Sequence, residues 1–205
     1  MITVIYAVNE KYIDMLLVSV LSLERYNKCL IKIFHDGVSE RYLNIISKTI
    51  KSKIEFIDIT KDILKLNLEW AFIGPSHIGI STYYRYLILN HLYENKVLYL
   101  DVDTMIRGPI YDLYEINLKD NYLAAKPWRP CNSEYNKKIG LRDDVRYFNS
   151  GVMLLNIKLI KEHKLFDKVL ELVEQNYDQF ILPDENALNI AVNGKYTQIS
   201  SNFNY

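Results

Sequence analysis

Short apolar runs alternate along this chain with longer stretches of helical periodicity, and that alternation restricts the fold more than any other feature. Residues 2–6 are apolar and β-branched, and read as a buried strand. Residues 11–26 set Ile13, Leu16, Leu17, Val20, Leu21 and Leu23 at helical spacing. Residues 30–35 read as a second strand, ended by the turn pair Asp36-Gly37. Ser39 is placed to cap a helix reaching about Lys51, and residues 53–59 read as a third strand. Residues 70–76, with Gly74-Pro75, read as a loop; Ser81 is placed to cap a helix over 82–92. Residues 96–100, 123–126, 148–156 and 196–199 read as further strands, and 159–175 and 184–192 as helices. The polar, irregular stretch 127–147 reads as a mobile surface loop. Strands alternating with helices predict an α/β fold, with a mixed, mainly parallel central sheet flanked by helices. One domain spanning 1–205 is expected.

Composition removes several classes of function. The 25 Lys+Arg balance 25 Asp+Glu, which excludes a strongly basic nucleic-acid binder. Two cysteines, Cys29 and Cys131, cannot build a disulfide framework, and read as free thiols in a reducing, cytoplasmic compartment. Residues 1–6 lack the basic region of a signal peptide, and no apolar run reaches the ~18 residues of a membrane span.

The segment most suggestive of chemistry is Val97-Leu98-Tyr99-Leu100-Asp101-Val102-Asp103. A buried strand runs directly into two carboxylates, and ligands of open α/β sheets lie beyond the carboxyl ends of strands. Hard oxygen donors suit Mn²⁺ or Mg²⁺, ions that also take phosphate oxygens. Two solvated loop acids would show the same spacing. In Tyr147-Phe148-Asn149-Ser150-Gly151-Val152, Asn149 and Ser150 can bond hydroxyl groups and Gly151 permits close backbone approach, although a small-residue turn entering a strand fits equally. In Leu182-Pro183-Asp184-Glu185-Asn186, Asp184 suits a helix N-cap and Glu185 a nucleophile or base. Tyr6-Ala7-Val8-Asn9 ends the first strand at the same edge, and Arg85 can pair with phosphate or simply be solvated.

In this order the segments resemble glycosyltransferase family 8, the glycogenin and lipopolysaccharide galactosyltransferase group, over nearly the whole chain. The resemblance implies a GT-A fold, a UDP-sugar donor (UDP-glucose or UDP-galactose foremost), Mn²⁺ (or Mg²⁺), a glycan or lipid-linked acceptor, and transfer with retention. It implies that Asp101 and Asp103 bind the ion, that Val102 approaches the ribose, and that Ala7, Val8, Asn9 and Tyr12 line the uridine pocket. Arg85 takes the basic position of the donor-contacting segment; Asn149, Ser150 and Asp184 hold sugar hydroxyls; Asp184 and Glu185 stand at the reacting centre.

Two departures accompany the resemblance. The family's His-x-x-Gly-x-x-Lys-Pro-Trp motif is expected after the last helix, whereas this chain runs to Asn202-Phe203-Asn204-Tyr205 with His35, His77, His91 and His163 all earlier. The sequence therefore predicts a chain short at its C-terminus. The second departure is Glu185, where the family usually has Gln; a carboxylate there suits double displacement. Two rivals share these features: a HAD-type phosphatase, whose strand-DxD signature wants Thr or Val where Met105 stands, and a non-catalytic UDP-sugar-binding module.

Overall fold

The computed structural model describes residues 1–66, 79–128, 133–176 and 179–204. The expected loop at 70–76, and also His77, Arg129 and Cys131, lie outside the described residues. Strands β1 (Ile2–Val8), β2 (Cys29–His35) and β3 (Lys53–Asp58) alternate with helices α1 (Ile13–Glu24) and α2 (Glu40–Thr49). A short helix α3 (Thr60–Ile63) precedes two 3₁₀ segments, Ile80–Tyr86 and Ile88–His91, which lead into β4 (Lys96–Leu100). Then follow α4 (Tyr111–Tyr114), β5 (Leu123–Pro127), α5 (Ser133–Ile139), β6 (Phe148–Asn156), α6 (Ile157–Glu162), α7 (Leu165–Asn176), α8 (Pro183–Val192) and β7 (Tyr196–Gln198).

The strands form one seven-stranded sheet in the order β3-β2-β1-β4-β6-β5-β7. β1, β2, β3 and β4 run parallel, β6 is antiparallel to both β4 and β5, and β7 pairs parallel with β5. The expected mixed, mainly parallel sheet flanked by helices is thus what the chain forms. Both faces are covered, which is why its strands are apolar without alternation. Val4, Tyr6, Leu98, Leu100 and Leu154 pack on one face with Leu16, Val20 and Leu23 of α1. Ile5, Tyr99, Met153 and Leu155 pack on the other with Tyr84, Phe166 and Leu188. Among the described residues no helix is long and apolar enough to cross a membrane.

Four local expectations change. Residues 82–92 are not an α-helix capped by Ser81 but two 3₁₀ segments, the first with Gly79 at its N-cap. The backbone there bonds three residues back, Thr82 to the Gly79 carbonyl and Leu87 to that of Tyr84, while Tyr83, Tyr84, Arg85 and Tyr86 are all buried. The helix expected at 159–175 is two, α6 and α7, divided where Lys164 takes a left-handed φ of 52°. Asp184 is not the cap of α8: Leu182 holds that position and Pro183 fills the first turn, where a missing N–H costs nothing. The stretch 127–147 contains α5, and so is not a featureless loop. Ser39 does occupy the N-cap of α2, although its side chain makes no capping bond.

Polar side chains of α1 fasten the segment that follows β4. The hydroxyls of Tyr6, Ser19 and Thr104 stand in line at 3.0 Å each, and Thr104 donates to the carbonyl of Asp101 at 2.7 Å. Farther along, Ser22 accepts from the Ile106 amide, and Asn27 bonds both the Gly108 carbonyl and the Ile110 amide. Ser19 is fully buried. Ser19→Ala is therefore expected to strand the Tyr6 hydroxyl and lower unfolding stability by about 1–3 kcal/mol. Urea denaturation checks this; an unchanged midpoint would show that the hydroxyl line carries no stability.

Candidate active site

The centre of the site is the buried guanidinium of Arg85, carried by the first 3₁₀ segment. Its Nε donates to the Thr82 carbonyl at 3.1 Å, and its Nη1 to the carbonyl and hydroxyl of Ser150 at 3.1 and 3.0 Å. Its Nη2 donates to Asp101 Oδ1 at 3.0 Å and lies 4.0 Å from Asp184 Oδ2. The Tyr99 ring lies beneath it, 4.9 Å from the guanidinium carbon. Burial works against the charge, but the surrounding Asp101, Tyr99 and Asp184 outweigh it and hold Arg85 firmly protonated. Asp184 responds in the opposite sense: burial raises its pKa, and Arg85 only partly offsets this.

β6 and α8 supply the opposite wall. Glu185 Oε2 accepts from the Ser150 amide at 2.9 Å, the Ser150 hydroxyl at 3.1 Å and Asn149 Nδ2 at 3.2 Å. Its other oxygen, Oε1, is buried with no hydrogen-bond partner. Burial is the larger influence and raises the Glu185 pKa, against the Ser150 donors. Ser150 is 4% exposed and its one proton goes to Glu185, so its side chain joins Arg85 to Glu185 within the protein. Asn149 Oδ1 accepts from the Gly151 amide and from Asn204 Nδ2 at 2.8 Å. Gly151 leaves room here, since a Cβ on it would lie 3.1 Å from Asp101 Oδ2 and press on that carboxylate.

Asp101, Asp103, Asn149, Gly151 and Asn204 line one cleft of about 820 Å³. Asp103 is exposed. Asp101 Oδ2 has no hydrogen-bond partner among the described residues, because Arg85 and Tyr99 both take Oδ1. Two hard carboxylates beside an open cleft fit a divalent cation. Among the described residues no group of three His, Cys, Asp or Glu side chains converges to hold one.

The expected uridine edge is built differently from its neighbours. Ala7 is half-buried, but Val8 is 1% exposed and points into the core, so only its backbone can meet a ligand. Asn9 Oδ1 caps the 3₁₀ turn Glu10–Tyr12 by accepting from the Lys11 amide, and the Lys11 ammonium lies 5.4 Å over the Tyr12 ring. Val102 and Tyr12 pack partly against the same core face. The 127–147 stretch is tied to α8, since Tyr135 and Tyr147 both donate to Asn186 Oδ1 at 3.1 and 2.7 Å. Sequence reasoning missed Tyr99, Tyr86 and Asn189. Tyr86 donates to the Asp184 carbonyl at 3.0 Å, and Asn189 pairs with both backbone groups of Phe148. For Tyr99 a signal exists: it stands in β4 two residues before Asp101, which follows the strand directly.

Comparison with known proteins agrees with this arrangement. The chain is 27% identical over 99% of its length to the glycosyltransferase GlyB of Streptococcus pneumoniae, covering 48% of that protein. It is 27% identical over 84% of its length to a lipopolysaccharide 1,2-glucosyltransferase of Escherichia coli, covering 52% of it. The chain spans about half or less of the length of the curated relatives it matches. Among solved structures, the galactosyltransferase LgtC in complex with donor and acceptor sugar analogs superimposes with a TM-score of 0.85 at 28% identity, covering 98% of this chain and 74% of that one. An active-site glutamine-to-glutamate mutant of LgtC matches at the same TM-score of 0.85 and 29% identity, with 98% of this chain and 73% of that one covered. The fold is GT-A, and the HAD-phosphatase reading of the strand-DxD segment is displaced. Residues 3–205 match the profile of glycosyl transferase family 8, and the chain belongs to that family.

Proposed function

We propose that this chain is the donor-binding and catalytic unit of a retaining hexosyltransferase that uses a UDP-sugar, UDP-glucose or UDP-galactose foremost, and a glycan or lipid-linked acceptor. The observation that carries this reading is Asp101, whose Oδ1 is held by Arg85 and Tyr99 while Oδ2 is left beside Asp103 at the cleft. The likeness to LgtC with donor and acceptor sugar analogs supports it. Asp101 Oδ2 and Asp103 would hold Mn²⁺ or Mg²⁺. A divalent cation held there would supply charge neutralisation for a diphosphate leaving group.

The remaining residues take roles that their surroundings support. Ala7, the Val8 backbone, Asn9 and Tyr12 would receive the uracil, Tyr12 by stacking, and Val102 would approach the ribose. Asn149 and Asp184 would hold sugar hydroxyls. Ser150 would act through Arg85 and Glu185. Glu185 is 6% exposed with Oε1 buried, so its side chain would have to turn toward the cleft before Oε1 attacks the anomeric carbon and the bond to UDP breaks. The acceptor hydroxyl then displaces the carboxylate, and its proton leaves with UDP.

Mass-spectrometric assay of UDP-glucose and UDP-galactose with Mn²⁺ is expected to detect metal-dependent UDP release. Asp103→Asn should lower that rate at least ~100-fold. Donor binding with no release under any acceptor condition would instead identify a non-catalytic binding module. A glycosyl adduct on Glu185, trapped and located by peptide mass spectrometry, is the expected intermediate. Full activity in Glu185→Ala would remove Glu185 from the reaction altogether.

A further inference from the structure

We propose that Tyr99 is a positioning residue for the divalent cation: it fixes the Asp101 carboxylate so that one oxygen, Oδ2, faces the metal. The inference rests on the metal-dependent reading above and extends it to a residue that touches neither ion nor donor. Tyr99 is 2% exposed, in β4, and Asp101 follows the strand directly, two residues on from Tyr99. Its hydroxyl donates to Asp101 Oδ1 at 2.6 Å, and Arg85 Nη2 donates to the same oxygen at 3.0 Å. A carboxylate oxygen offers two lone-pair directions, so Oδ1 is fully used and Oδ2 alone remains for an ion.

Three groups therefore define the pose of one carboxylate. Arg85 alone would leave the group free to turn about its Cβ–Cγ bond and exchange its oxygens. The hydroxyl closes that freedom, because it approaches from the strand below while the guanidinium approaches from the 3₁₀ segment beside it. Gly151 keeps the other side open, since a Cβ there would stand 3.1 Å from Oδ2. Partners that orient a metal-binding carboxylate in this way typically change metal affinity 10–100-fold when removed. Phenylalanine at this position keeps the ring beneath Arg85 and removes only the donor.

The test is titration with Mn²⁺, alone and with UDP, followed by the electron paramagnetic resonance signal of the free ion. Wild-type protein is expected to bind one Mn²⁺, and Tyr99→Phe to bind it ~10-fold more weakly. Saturating Mn²⁺ should restore the variant's turnover, a rescue that general loosening of the fold would not permit. Equal affinity in wild type and Tyr99→Phe overturns the role of Tyr99 and leaves the metal-dependent reading intact. Absence of binding to the wild type overturns that reading and this inference together. Should Tyr99→Phe fail to fold, Tyr99→Leu removes the same donor with a smaller side chain; weaker Mn²⁺ binding supports the inference, and unchanged affinity overturns it.

Discussion

A guanidinium sealed from water has to be answered from within the protein, and the arrangement around Arg85 follows from that requirement. A buried charge with no partner costs several kcal/mol, so each nitrogen of the group donates to an acceptor. Those acceptors come from separate stretches of chain: Thr82, Asp101, Ser150 and, at longer range, Asp184. Arg85 thereby binds together the 3₁₀ segment, the end of β4, the start of β6 and the first turn of α8. None of these contacts alone is strong evidence of stability. Their convergence means that the groups proposed to meet metal and donor cannot shift independently.

The sheet topology makes the convergence possible. β4 lies between parallel β1 and antiparallel β6, so the end of β4 and the beginning of β6 reach the same edge. Asp101 and Gly151 are joined there by a backbone bond of 2.8 Å. α8 then packs across β6, with Asn189 bonding the Phe148 backbone as a neighbouring strand would. On the other face, α1 holds the turn after Asp101 through Ser19 and Ser22. The carboxylates are thus gripped from both layers of the sandwich of helices and sheet.

Much of this could be read from residue order. The apolar strand that runs into Asp101 and the one that leaves from Asn149 are visible because burial and polarity change abruptly at those points. The α/β alternation is equally plain, since the periods of strand and helix differ so much. Residues 80–91 were harder: over a few turns the 3₁₀ and α periods are nearly alike, and they differ in backbone bonding three residues back, which residue type does not announce. The break at Lys164 has no Gly or Pro to announce it. Tyr99 escaped notice because a tyrosine in an apolar strand resembles core packing, and nothing in its neighbours reveals that its hydroxyl meets a carboxylate. The committed state of Ser150 was hidden for a related reason: a Ser beside a Gly signals a turn, while its partners Arg85 and Glu185 lie far away in sequence.

The reversed direction of β6 has one more consequence. Parallel strands end at this edge with carbonyl groups, but β6 enters it with amide hydrogens. Those of Phe148, Ser150 and Gly151 are taken by the side chains of Asn189, Glu185 and Asn149. The edge is therefore a latent anion receptor, silenced by the protein's own oxygens. Taking the carboxylate away at position 185 would not leave a neutral gap. It would unmask the Ser150 amide and hydroxyl toward the ligand side, beside the positive charge of Arg85. What this corner rejects or admits is governed by which oxygens cover its donors, and a single side chain sets the sign.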